Sequence, residues 1–149
     1  MDGGRLLRPL EGVQGIYGVG VRYLLDTHVL LWWRQDDPRL PARLNPLLER
    51  RGGEEMIFSM VSLWEIAIKR SLGKLRLEGD LAEFARDLEG KHRFRLLGLE
   101  TPQVVRLERL PQHHGDFFDR MLIAQAIEIG ATAVTDDPHW KKYPVKLRW

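Results

Sequence analysis

The chain has no cysteine, which removes disulfides, thiolate zinc sites and cysteine nucleophiles together and is compatible with a reducing compartment. Long apolar runs are also missing. The stretch Val29-Leu30-Leu31-Trp32-Trp33 is bounded upstream by Asp26 and His28, so nothing approaches the roughly 20 residues of a membrane helix. Residues 1–20 lack the compact apolar core and small-residue cleavage site of a secretory signal, and a cytoplasmic location is the default expectation. A large excess of one charge sign is missing too: the formal net charge is +2, so the molecule is no polycation and any attraction to an anionic partner must come from local patches. Low-complexity tracts and internal repeats are absent. What is present is a 44% hydrophobic, 30% charged mixture, a density of Leu, Ile and Val that disordered chains lack.

At 149 residues there is room for one well-packed domain and not for two. Residues 1–20 are Gly-rich and show no periodicity, whereas a clean strand begins abruptly at residue 22. Residues 21–149 are therefore expected to form the domain and residues 1–20 an addition to it. Val21 is a candidate true start, which peptides from before residue 21 in the native protein would disprove.

Strands are expected over residues 22–25, 56–60, 94–99 and 131–135, with a short last one over 145–147. Helices are expected between them, over 28–33, 62–72, 80–89, 101–109 and 116–129. Leu40, Leu44, Leu47 and Leu48 make a further helical stripe that Pro46 must kink or restart. Thr101-Pro102 reads as an N-cap followed by proline at the first helical position. This alternation predicts an α/β fold, a three-layer sandwich with a mainly parallel sheet between helices. In such sheets a ligand crevice lies beyond the carboxyl ends of the strands.

Four acids stand where strands hand over to helices or turns: Asp26, Glu65, Asp119 and Asp137. Each also has a plainer explanation. Ser62-x-x-Glu65 reads as a capping box and Asp116-x-x-Asp119 resembles one, as does Asp80-x-x-Glu83, where no chemistry is apparent. Asp137-Pro138 is a turn former. Asp26 is the hardest to dismiss, because it directly follows Tyr23-Leu24-Leu25 and precedes an almost wholly apolar helix, although Thr27 or His28 could cap that helix instead. Four carboxylates in one crevice would repel, by about 4 kcal/mol per pair at 4 Å and an effective dielectric of 20. A divalent cation is the usual remedy, and hard oxygen ligands suit Mg2+ or Mn2+. Such an ion can activate water for phosphodiester hydrolysis without a nucleophilic side chain.

Four segments carry a family resemblance: Tyr23-Leu24-Leu25-Asp26-Thr27-His28, Ser62-Leu63-Trp64-Glu65-Ile66-Ala67-Ile68-Lys69, His114-Gly115-Asp116-Phe117-Phe118-Asp119-Arg120 running into Leu122-Ile123-Ala124-Gln125-Ala126, and Thr135-Asp136-Asp137. In this order and spacing the chain, from Arg22 onward, resembles the PIN-domain proteins of the VapC-type toxin ribonucleases. The resemblance implies an α/β sandwich, a metal set of Asp26, Glu65, Asp119 and Asp137, and dependence on Mg2+ or Mn2+. It further implies an RNA substrate, a homodimer and a small antitoxin that blocks the site. Phe117 stands where the family usually has proline. The pattern Thr-x-Asp selects Asp137, with Asp136 an extra acid that could share its role. Asp116 stands in the same relation to Asp119, as N-cap or outer ligand. Thr27, Thr135 and Arg120 are candidate auxiliaries, Arg120 either on a scissile phosphate or paired with an acid.

His113-His114 offers a metal pair or general base, but adjacent residues diverge on most backbones and no i, i+4 partner exists. Basic residues around Lys69-Arg70, Lys91-His92-Arg93 and Lys141-Lys142 could line an RNA path or simply be solvated faces. Trp32, Trp33 and Trp64 read as core or dimer packing. Two other functions compete. A haloacid-dehalogenase-like phosphatase would also use an Asp after the first strand, but it wants a second Asp where His28 stands. A non-catalytic RNA- or protein-binding module would show salt-sensitive binding and no metal-dependent product.

Overall fold

The computed structural model describes residues 21–50 and 52–149. The addition expected over residues 1–20, on which the Val21 start depends, lies outside that range. Five strands form one sheet: Arg22–Leu25 (β1), Glu55–Ser59 (β2), Arg95–Leu97 (β3), Thr132–Val134 (β4) and Lys146–Arg148 (β5). Their order is β3-β2-β1-β4-β5 and every pairing is parallel. Parallel neighbours need crossovers, and helices supply them. Thr27–Arg34 (α1) and Asn45–Leu48 (α2) join β1 to β2. Met60–Ser71 (α3) and Leu81–Glu89 (α4) join β2 to β3, and Thr101–Arg109 (α5) and Phe117–Ile129 (α6) join β3 to β4. A short 3-10 turn, Pro138–Lys142, leads into β5.

Alternate strand residues face opposite layers. Leu24 pairs with Ile57 and Ala133, and these three pack against α6 through Leu122, Ile123 and Ala126. Tyr23, Leu25, Met56, Phe58 and Val134 face the other way, onto Val29 and Leu30 of α1, Leu47 of α2 and Phe84 and Leu88 of α4. With both faces covered, the central strands carry apolar residues throughout. Helix α3 reaches both layers, Val61 joining one and Ile66 the other, which accounts for its broad apolar arc. Trp140, in the last 3-10 turn, is fully buried and contributes about 3 kcal/mol by that burial.

Two local readings change and a third, at Pro46, holds. Helix α3 starts at Met60, with Ser59 as the cap whose hydroxyl accepts from the Val61 N–H. Ser62 and Glu65 therefore lie inside the helix, both buried, and form no capping box. Helix α5 is capped by Glu100 in a reciprocal box with Gln103, which puts Pro102 second rather than first. Pro46 divides its stripe into a 3-10 turn, Ala42–Leu44, and the single turn of α2. Helix α6 ends as expected at Gly130, whose φ of 68° closes the helix in the left-handed region that glycine adopts without strain.

The strand order decides where a site can form. From β1 the chain moves outward to β2 and β3, then returns across β1 to build β4 and β5 on its other side. The carboxyl ends of β1 and β4 therefore border the topological switch point, where the crossovers diverge and leave a crevice.

Candidate active site

Asp26 and Asp137 are set by the two strands at that switch point. The Asp26 N–H donates to the Val134 carbonyl at 3.0 Å, which ties the end of β1 to the end of β4. The Asp26 carboxylate makes no capping bond to α1. Instead its Oδ2 accepts from Thr135 Oγ1 at 2.8 Å, and the same hydroxyl accepts from the Asp137 N–H at 3.1 Å. One side chain thereby spaces two acids. The Asp137 carboxylate also accepts from the His139 backbone at 2.9 Å and meets the His139 ring Nδ1 at 3.0 Å.

Glu65 and Asp119 arrive on helices. Helix α3 is docked at its start: Ser59 Oγ donates to Gln125 Oε1 at 2.5 Å, and Thr27 Oγ1 donates to Ser62 Oγ at 2.9 Å. Gln125 is itself fully buried and donates to Gln103 Oε1 at 2.9 Å. This polar network joins α1, α3, α5 and α6 around the crevice. Glu65 is 2% exposed, and one oxygen is held by Lys69. Asp119 is the third residue of α6, its N–H held by Asp116 Oδ1 at 2.9 Å.

The four acids feel one another. Burial, followed by repulsion from Asp26, Asp116, Asp137 and Glu65, pushes Asp119 up to about 8. Burial likewise raises Asp26 to about 6; the Thr135 hydrogen bond and His28 oppose the shift, and Glu65 adds to it. Burial would raise Asp137 as well, but the hydrogen bonds from His139 and one shared with Asp119 hold it below the ordinary range. Burial works against the Lys69 ammonium, yet Glu65, Asp116 and Asp119 together raise its pKa.

The donor chemistry fits a hard divalent cation. Asp26 Oδ1 and Glu65 Oε1 are buried and have no hydrogen-bond partner, and buried carboxylate oxygens without partners are costly. Among the described residues no three His, Asp or Glu side chains stand together in metal-holding geometry. Lys69 takes Glu65 Oε2 and His139 takes Asp137 Oδ1, so each of these two acids has one oxygen outside those pairs.

The remaining expected residues separate into two groups. Thr135 sits in the site, between Asp26 and Asp137. Asp116 is exposed and caps α6, acting on Asp119 through the hydrogen bond to its N–H and on its carboxylate through charge. Asp136 is exposed and makes no hydrogen bond or ion pair among the described residues. Thr27 is spent on Ser62. Arg120 is buried and donates to the Pro111 carbonyl and the Tyr143 hydroxyl, away from the crevice. Of the His113-His114 pair, His114 alone reaches an acid: its Nε2 lies 3.5 Å from Asp119 Oδ2. Tyr143 and His139, which complete that corner, carried no sequence signal. His139 lies 25 residues beyond His114, and its ring stacks on the His114 ring at 5.0 Å only because β4 returns the chain there.

Acids gathered at the switch point of a wholly parallel five-stranded sheet define an α/β domain built around an acidic crevice. Residues 23–146 match the model of the PIN domain, and the chain belongs to that family. Among curated proteins it is similar to Ribonuclease VapC22 of Mycobacterium tuberculosis, 29% identical over 115 residues that span 76% of this chain and 85% of the relative. Among solved structures it is similar in fold to VapBC2 from Rickettsia felis bound to a promoter DNA fragment, with TM-score 0.65, 16% identity, and coverage of 86% of this chain and 98% of that one. FitAcB from Neisseria gonorrhoeae gives TM-score 0.56 at 18% identity, covering 84% and 95%.

Proposed function

We propose that the protein is an RNA-hydrolysing enzyme dependent on Mg2+ or Mn2+ and the toxin half of a VapBC-type toxin–antitoxin pair. The observation that carries this reading is the set of four acids at one switch point, two of them with orphaned buried oxygens. The relative's name, a ribonuclease, supports the reaction class. Asp26, Glu65, Asp119 and Asp137 would hold the ion. Bound there, such an ion makes water a competent nucleophile and neutralises charge on the phosphodiester. The chain's own part is positioning: Thr135 spaces Asp26 from Asp137, and the Ser59–Gln125 and Thr27–Ser62 bonds fix the helix that carries Glu65. Covalent phosphatase chemistry has less support, since His28, exposed at the start of α1, stands where a second Asp would be needed.

The deciding experiment incubates purified protein and RNA with Mn2+ or Mg2+, and in parallel with EDTA. Metal-dependent product is expected. Equal cleavage in EDTA would refute the mechanism, and salt-sensitive binding without product would leave the non-catalytic module.

Two partners belong to the same proposal. Met60, Trp64, Ile68 and Leu72 recur every fourth residue along α3 and its C-cap, 42–61% exposed. Phe117 packs edge-on against Trp64 at 5.5 Å. An apolar stripe of this length facing water marks a partner surface, and we assign it to a second copy of the chain in a homodimer. Trp64→Glu should then give a monomer in sedimentation. The antitoxin would be encoded beside this chain, and co-expression of a short adjacent reading frame should abolish cleavage. Among the described residues no helix is long and apolar enough to cross a membrane.

A further inference from the structure

Behind the carboxylates stand three polar side chains that the proposed chemistry does not use: Arg120, Tyr143 and His114. Arg120 Nη1 donates to the Pro111 carbonyl at 2.7 Å and lies 3.0 Å from the Tyr143 hydroxyl. That hydroxyl is 2.7 Å from His114 Nδ1. His114 Nε2 is buried and faces Asp119 Oδ2 at 3.5 Å, just beyond a full hydrogen bond. On its other side the His114 ring stacks on His139, 5.0 Å away and 11° from parallel, and His139 holds Asp137.

The direction of this chain follows from its first member. A guanidinium can only donate, so the Tyr143 oxygen accepts from Arg120. Tyr143 is 4% exposed, and its own proton needs an acceptor. Among the described residues the acceptor beside it is His114 Nδ1. Nδ1 must then be the unprotonated nitrogen, and in a neutral imidazole the proton is left on Nε2. The opposite tautomer would aim two donors at one hydroxyl oxygen and strand the hydroxyl proton in the interior.

We propose that Arg120, Tyr143 and His114 form a one-way donor chain that locks the His114 tautomer and aims an N–H at Asp119 Oδ2. The other Asp119 oxygen is thereby left for the crevice. His114 is a positioning residue, acting through Asp119 rather than on a substrate. The tautomer stands on geometry alone; its consequence for metal affinity rests on the metal reading of the site.

Nitrogen-15 NMR of the imidazoles in the metal-free protein tests the chain directly. His114 is expected in the Nε2–H form, and Tyr143→Phe, which keeps the ring and deletes the hydroxyl, should release it to a mixture of tautomers. An Nδ1–H form in the unaltered protein, or a tautomer indifferent to Tyr143→Phe, would overturn the proposal. Titration with Mn2+ alone tests the consequence. His114→Ala should weaken binding about 10- to 100-fold, the usual effect of removing an outer partner of a metal ligand. His114→Gln should restore most of it, since its amide can accept from Tyr143 and donate to Asp119. Equal affinity in all three proteins would overturn the positioning role. If the unaltered protein binds no Mn2+, the metal reading falls, and the tautomer still decides the chain.

Discussion

Helices α4 and α6 begin in the same way and end up in different chemistry. In α4, Asp80 caps the helix by accepting from the Ala82 N–H at 2.9 Å, with Glu83 in the first turn; in α6, Asp116 accepts from the Asp119 N–H at 2.9 Å. Each device satisfies an orphan donor and places acidic charge at the positive end of a helix dipole. Beyond the caps the helices part. Helix α4 buries only Phe84 and Leu88 and leaves Glu83 in water. Helix α6 buries most of its length, Asp119 included, and packs on both α3 and α5. A capping acid therefore becomes part of a site only where the sheet brings other acids to meet it. Asp119 meets Asp26 and Asp137 because its helix starts beside the switch point.

The contrast can be broken most severely at Asp26, which does for the crevice what no residue of α4 does. Asp26→Asn should lower metal-dependent RNA cleavage by about 10³-fold or more, taking several kcal/mol as the worth of an ion's charge stabilisation. Its circular dichroism should be unchanged, and Asp80→Asn should cleave normally. Comparable losses in both variants would make the acids structural alone.

A second effect is one of pH. An acid whose folded-state pKa stands above its unfolded value holds its proton more tightly in the fold, so stability falls as pH rises between the two. For Asp119 that window runs from 3.8 to about 8, and Asp26 adds a slope of the same sign from 3.8 to about 6. The metal-free protein should therefore melt at progressively lower temperature from pH 5 to 8. Asp119→Asn should flatten the slope, and Mn2+ should stabilise the unaltered protein more at pH 8 than at pH 5. A melting temperature that rises over this range would contradict the assignment.

The smallest effect is the cleanest comparison of the two caps. Asp80→Ala and Asp116→Ala should each cost about 1 kcal/mol in denaturant unfolding, but Asp116→Ala alone should change Mn2+ affinity, because only its charge acts on Asp119.

Much of the fold was legible in residue order. All five strands and the longer helices follow from periodicity and from stops such as Gly130. Errors fell at boundaries, where Ser59 and Glu100 competed with Ser62 and Thr101 as caps, and any of the four side chains can do that job locally. Asp26 and Asp137 could be singled out as candidates by their places after strands; the resemblance added Glu65 and Asp119 and favoured Asp137 over Asp136, which is exposed and, among the described residues, unpartnered. Arg120 had two readings, a phosphate contact or a pair with a nearby acid, and its helix turns it inward instead to the Pro111 carbonyl and the Tyr143 hydroxyl. Of the three basic stretches, Lys69 is held by Glu65, Arg70 donates to the Gly79 carbonyl and Arg95 pairs with Glu55 at 3.1 Å. Those cations are engaged within the domain.

The sequence by itself determined the class of the domain and its strands, because alternation of apolar residues is a local property, and it offered Asp26, Glu65, Asp119 and Asp137 as candidates through the family resemblance. Only the tertiary structure decided which groups act on those acids. Thr135 bridges Asp26 and Asp137, and Arg120, Tyr143 and His114 line up behind Asp119. Three of the four crossovers return the chain through helices before the next strand, so partners far apart in sequence meet only after the sheet has closed around β1.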